Sequence, residues 1–171
     1  AVGDGVADDT VAVQSAIDYC LANHKDLLVD GRCYITSSLN IDKPVNDPSY
    51  DEYFTILSDS GGGFIVKSAI AMFSSTLPFT TDPVVALVRF QDLVFESNDN
   101  SLAAYVLYDG MYARTVFQGC TFSYIKLLTA STVITQSIYL IQCNVRRFYG
   151  TFFNSGAYTY DLKVTNCLVE A

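Results

Sequence analysis

Thr115-Val116-Phe117-Gln118-Gly119-Cys120-Thr121-Phe122 is followed, one short interval later, by Ile138-Tyr139-Leu140-Ile141-Gln142-Cys143-Asn144-Val145. Both read apolar, any, apolar, two polar or turn-forming residues, apolar, any, apolar, with Ile141 the exception at the turn. Working outward, Val88-Arg89-Phe90-Gln91-Asp92-Leu93-Val94-Phe95 precedes them and Leu162-Lys163-Val164-Thr165-Asn166-Cys167-Leu168-Val169 follows, in the same pattern. Anchored on Leu93, Cys120, Cys143 and Cys167, the four copies are spaced by 27, 23 and 24 residues. Alternation means that one side of each strand is buried. The two-residue interruption keeps both flanks pointing inward, so it is a bend between two short strands that share one core. A period of this length with no helical rhythm inside it suits one turn of a parallel β-solenoid, in which like residues stack about 4.8 Å apart.

The predicted interior columns are Phe90/Phe117/Leu140/Val164, Leu93/Cys120/Cys143/Cys167 and Phe95/Phe122/Val145/Val169. Gln91, Asp92, Gln118, Gln142, Thr165 and Asn166 fall at the bend, where their side chains can satisfy backbone groups. No Leu-x-x-Leu-x-Leu string recurs, which excludes a leucine-rich repeat. An antiparallel sandwich is the competing architecture, but it calls for hairpin turns every 8–12 residues and the chain lacks that rhythm.

The five cysteines, Cys20, Cys33, Cys120, Cys143 and Cys167, include no CxxC pair, and His24 is the sole histidine. A zinc site built from such residues is therefore excluded. Three of the cysteines serve as small apolar residues of a core column; disulfides or reactive thiols are the alternative. Free thiols in a protein folded in a reducing cytosol are the simplest account.

The chain opens Gly3-Asp4-Gly5-Val6-Ala7-Asp8-Asp9-Thr10. Its glycines allow a turn, and Asp8, Asp9 and Thr10 offer oxygens to the free N–H groups of a helix start. Val13, Ala16, Ile17, Cys20 and Leu21 then mark one face of a helix over about 10–23, with His24 a C-terminal helix residue. Residues 26–36 read as strand, Asp30-Gly31 turn, strand; Leu39 to Ile41 and Phe54 to Leu57 are further strands. A polar loop carrying Pro44, Pro48, Tyr50 and Tyr53 lies between those two. Gly61-Gly62-Gly63 lacks the Lys-Ser/Thr of a phosphate-binding loop and is a tight turn.

Together with Val13-Gln14 and Ala16-Ile17, the stretch Gly3 to Thr10 resembles the opening motif of the pectate-lyase-like superfamily, in the branch of bacteriophage tailspikes and capsule depolymerases. Val29-Asp30-Gly31-Arg32-Cys33-Tyr34-Ile35 is similar to the stretch that follows it there, although the family usually carries proline before the glycine. The resemblance implies an all-β, right-handed, single-stranded parallel β-helix with a short capping helix at its N-terminal end. On this reading residues 1–171 form the N-terminal part of one β-helix domain: helix cap about 8–24, irregular first coils about 26–80, regular coils about 84–171. Both ends look cut, because the motif starts without the strand that usually precedes it and the last repeat stops directly after a strand. The expectation is a piece of a longer chain. Lyases, hydrolases, epimerases and non-enzymatic spikes all carry this fold. The tailspike branch implies a homotrimer on the virion tail beside other tail proteins, folded in the host cytoplasm and bound to a bacterial surface polysaccharide, capsule or O-antigen.

Composition narrows the classes further. Eighteen acids against ten bases give a net charge of −8, and the only adjacent basic pair is Arg146-Arg147; nucleic acid is not an expected partner. Mean hydropathy is +0.26, yet the longest aliphatic run, Val84 to Val88, is far short of the ~18 residues a membrane helix needs. No signal peptide is visible, and no cofactor is expected. A glycoside hydrolase needs two carboxylates, about 5–5.5 Å apart if retaining and about 6.5–9.5 Å if inverting. The outward position three after each anchor holds Glu96, Ser123, Arg146 and Glu170. Glu96 and Glu170 are three coils, roughly 14 Å, apart, and Arg146 with Glu170 makes a surface ion pair. A catalytic pair therefore draws on Glu96, Asp99 or Asp109, on a neighbouring subunit or on further chain. Tyr149, Tyr158 and Tyr160 are the candidates for stacking on sugar rings. A calcium-dependent lyase needs six to eight oxygen ligands, and no acid cluster supplies them. A non-enzymatic adhesin fits the lack of a carboxylate pair.

Overall fold

The structure, a computed structural model, describes residues 1–42, 54–74, 86–97, 104–107, 110–128, 133–147 and 158–170. Strand β1 (Asp4–Asp8) leads into helix α1 (Thr10–Ala22), after which the chain winds in coils. The first coil comprises β2 (Leu27–Leu28), β3 (Arg32–Tyr34) and β4 (Leu39–Asn40); the second β5 (Phe54–Leu57), β6 (Gly63–Val66) and β7 (Ala71–Ser74). The third has β8 (Ala86–Gln91), β9 (Val94–Ser97) and β10 (Tyr105–Leu107); the fourth β11 (Gly110–Gln118), β12 (Thr121–Ser123) and β13 (Lys126–Leu128). Two more passes follow, β14 (Val133–Ile141) with β15 (Asn144–Arg146), and β16 (Tyr158–Thr165) with β17 (Leu168–Glu170). Each strand pairs in parallel with its counterpart one coil away, giving three sheets. The lateral sheet runs β2-β5-β8-β11-β14-β16, the front sheet β1-β3-β6-β9-β12-β15-β17, and the third sheet β4-β7-β10-β13. The protein is a three-faced parallel β-solenoid.

Register follows the repeat. Phe90 pairs with Phe117, Phe117 with Leu140 and Leu140 with Val164; Phe95 pairs with Phe122, then Val145 and Val169. The rings stack along the axis, Phe90 on Phe117 at 4.9 Å and Phe95 on Phe122 at 5.3 Å, and the two ladders meet edge to face. Cys120, Cys143 and Cys167 lie in one line. Each Sγ donates to a carbonyl of the preceding coil, those of Phe90, Phe117 and Leu140, at 3.3, 3.3 and 3.4 Å. All five cysteines are free thiols, and burial pushes the Cys120 thiol well above its ordinary pKa.

The bend between lateral and front sheets has one mechanism in four coils. Asp92, Gly119, Gln142 and Asn166 all adopt left-handed backbone, with φ of 56°, 66°, 54° and 53°. That conformation turns the corner without spoiling the inward phase on either side, and only glycine adopts it free of steric cost. The same device recurs at the next corner in Tyr124 and Arg147. The triple glycine is more than a turn: Gly61 turns, while Gly63 is already in β6. A Cβ on Gly63 would stand 1.9 Å from the Val94 carbonyl oxygen, so adjacent backbones approach too closely there for any side chain.

Four local expectations are corrected. Asp4–Asp8 is a strand paired with β3, not only a turn before the helix. Asp9 does not cap the helix: its carboxylate accepts from the amides of Val2 and Gly3, which ties the start of the chain down, and only Asp8 reaches a helix amide, that of Thr10. His24 lies beyond the helix end, in left-handed backbone that reverses the chain. The strands flanking Asp30-Gly31 belong to two different sheets, so the turn is a solenoid corner. The helix buries Val13, Ile17, Cys20 and Leu21 and closes the N-terminal end of the core. Among the described residues no helix is long and apolar enough to cross a membrane.

Candidate functional site

The outer surface of the front sheet is the most regular feature a ligand could meet. Its outward positions form two columns set by the strand register, Asp4/Arg32/Gly63/Val94/Thr121/Asn144/Leu168 and Tyr34/Ile65/Glu96/Ser123/Arg146/Glu170. Glu96, the one catalytic candidate among the described residues, sits in the second column. Its Oε2 is 3.3 Å from Arg32 Nη1, two coils away. The register puts the bare Gly63 between them, and its missing side chain clears the path for the guanidinium. Arg146 and Glu170 stand on adjacent strands with Nε and Oε2 3.6 Å apart, both about half exposed (53%); such a pair is worth under about 1 kcal/mol.

Among the described residues the candidates do not converge. Asp99, Asp109 and Tyr149 lie outside the described residues. Tyr158 and Tyr160 belong to β16 of the lateral sheet, whereas Glu96 is on the front sheet. Glu96 and Glu170 are separated by two intervening strands. Among the described residues no group of three or more His, Cys, Asp or Glu side chains could hold a metal ion.

A different grouping emerges along the corner between the front and third sheets. Lys67 Nζ lies 4.1 Å from the ring centroid of Tyr34, Lys126 Nζ 5.7 Å from that of Tyr105, and the Arg147 guanidinium carbon 5.9 Å from that of Tyr124. Arg147 also donates to the Tyr124 hydroxyl at 3.1 Å. In each pair the cation comes from the coil next to that of the ring, so spacing along the sequence conceals the contact. Only Tyr124 and Arg147 were legible as a pair, both four residues after a repeat anchor.

The acids on this flank are engaged. Asp4 accepts from the amides of Val6 and Ala7, which lowers its pKa, and Asp8 is lowered by Thr10 and Thr36. Glu96 is held by Arg32 and Glu170 by Arg146. In contrast, no carboxylate of a described residue forms an ion pair with Lys67, Lys126 or Arg147. A second concavity, about 270 Å³, lies between the helix and the first coil, lined by Ala12, Val13, Ala16, Leu27, Leu28 and Val29 among others.

Compared with known proteins, the chain matches no protein-family model, no curated protein and no solved structure. The parallel β-solenoid therefore stands on its strand register alone.

Proposed function

We propose that this chain belongs to a bacteriophage tailspike of the pectate-lyase-like kind, whose β-helix recognises a bacterial surface polysaccharide and depolymerises it as an endo-glycosidase. The observation that carries the reading is the long outward face of the front sheet. It is a largely polar face, interrupted by Gly63, Ile65, Val94 and Leu168, held at strand spacing by the buried core, with a helix closing the end that bears the Gly3-to-Thr10 motif. A repeating polymer can lie along such a ladder, meeting equivalent positions at each coil. In this reading the protein is a homotrimer of the virion tail, and cleavage uses Asp99, Asp109 or acids contributed from elsewhere in the assembly.

A second reading, a non-catalytic adhesin, is favoured by the Arg32–Glu96 pair. The Glu96 carboxylate is engaged by that guanidinium at 3.3 Å and faces no second carboxylate among the described residues. A polysaccharide lyase is the third. Incubating the protein with purified capsule or O-antigen separates them. Saturated oligosaccharides indicate a hydrolase, products absorbing from a new unsaturated sugar a lyase, and retention without products an adhesin. Absence of both retention and cleavage, for every surface polysaccharide tried, refutes the proposal.

A further inference from the structure

We infer that the corner between the front and third sheets is a binding ridge for the carboxylate groups of an acidic polysaccharide; the inference rests on the sugar-binding reading above and names its substrate class. The structure supplies three parts. First, cations and tyrosines alternate along one edge of the solenoid: Tyr34 with Lys67 on the first two coils, then Tyr105 with Lys126, then Tyr124 with Arg147. Second, among the described residues none of these three cations makes an ion pair with a carboxylate, although Asp4 is close enough for the Lys67 charge to help lower its pKa. The neighbouring acids Glu96 and Glu170 are matched to Arg32 and Arg146 instead, and Asp4 and Asp8 are bound to backbone amides and hydroxyls. Third, the chain as a whole carries −8. A polyanion is repelled by most of such a surface and finds an edge where positive charge is unpaired, which fixes where it can lie.

The chemistry of the pairs suits a charged sugar better than a neutral one. The tyrosine ring fixes the direction of the ammonium or guanidinium by a cation–π contact, yet, apart from the N–H that Arg147 donates to the Tyr124 hydroxyl, leaves its donors to meet a carboxylate. The tyrosine edge or face and hydroxyl remain half-exposed beside it, ready for the C–H surface and hydroxyls of the ring that bears that carboxylate. Arg147 can meet a carboxylate with two N–H groups at once. Successive coils are about 4.8 Å apart, close to the length of one sugar unit, so Lys126 and Arg147 on adjacent coils address neighbouring units and Lys67, two coils before Lys126, a unit two further along. Nucleic acid, the other common polyanion, is disfavoured by three isolated cations on a strongly acidic protein.

The test uses the full chain and a panel of purified bacterial capsular polysaccharides, some containing uronic acid, each also in a form with its carboxyl groups reduced to alcohols. The inference expects retention of the acidic polymers, at least tenfold weaker for their reduced forms and weakened by salt. The K67Q/K126Q/R147Q triple variant is expected to lose tenfold or more for the acidic polymers, and K163Q, which removes one exposed charge on the lateral sheet, to stay within about twofold. Equal binding of native and reduced polymers, or a triple variant that binds as well as the parent, overturns the ridge and leaves sugar recognition standing. Binding of no polysaccharide overturns both. Far-ultraviolet circular dichroism of the triple variant, whose substituted side chains are surface groups, distinguishes lost binding from lost fold.

Discussion

Phe117→Ala is the sharpest probe of how this solenoid holds together. Phe117 is fully buried, 4.9 Å from Phe90, 5.5 Å from Phe122 and 6.0 Å from Phe95, ring centroid to centroid. Its strand β11 is hydrogen-bonded on both sides, to β8 and to β14. Those ladders prevent the walls from closing over the space the ring leaves, so the cost belongs near the upper part of the range for burying a void of this size, about 4 kcal/mol. Val94 instead faces outward on the front sheet, half-buried, on a strand that is likewise paired on both sides. Val94→Ala removes two half-solvated methyl groups and is worth about 0.8 kcal/mol. Urea unfolding followed by circular dichroism at 218 nm, roughly where strands absorb, reads both values from the midpoint at constant slope. Should Phe117→Ala leave too little folded protein, Phe117→Leu, expected to cost about 1.5 kcal/mol, keeps the comparison. A Phe117→Ala loss below 1.5 kcal/mol, or a Val94→Ala loss equal to that of Phe117→Ala, would refute the argument that burial in the core sets the energetics.

Further outcomes follow from single contacts. Thr115 occupies an inward core position with no exposure, and its hydroxyl finds no hydrogen-bond partner; Thr115→Val, nearly the same shape, is expected to add about 1–2 kcal/mol in the same unfolding assay. At the left-handed corner the substitutions diverge: Gly119→Ala puts a Cβ 2.0 Å from Asp92 Oδ1 at a φ of 66° and costs about 1–2 kcal/mol, while Gln142→Asn at the equivalent position gains a few tenths. Because the Thr10 and Thr36 hydrogen bonds lower Asp8 below the usual carboxylate range, its contribution to stability is complete above the unfolded-chain value of about 4 and is lost as pH falls through the native value. Asp8→Asn should therefore flatten the acid limb of an unfolding midpoint plotted against pH, and an unchanged limb argues against that role. In thiol labelling of the native protein, the labelling of buried Cys120 and Cys143 waits on unfolding.

The Arg32–Glu96 contact and the hidden cation–tyrosine pairs have a common origin. Contacts between coils depend on how many residues each corner consumes, and that number varies. Five residues separate Phe90 from its front-sheet counterpart Phe95, but eight separate Ile56 from Phe64, although the same columns run through both coils. The repeat from Val88 onward is visible because its corners are equally short. The second coil follows the same plan and is hidden by three extra residues around Gly61. Likewise, Lys126 meets Tyr105, and Arg32 reaches Glu96 over Gly63, at sequence separations no period announces.

What the sequence by itself determined is the solenoid: inward residues recur with the period of a strand, and stacking them in register is the arrangement that buries every apolar position at once. The free cysteines and the capping helix come from the same logic. Among surface pairs, Arg146–Glu170 was legible from the repeat because equal corners join its coils, whereas Arg32–Glu96 and the Lys67–Tyr34 and Lys126–Tyr105 contacts were decided by the tertiary structure alone. Exposed side chains obey no burial pattern, so only the register of coils brought together through unequal corners settles who their neighbours are.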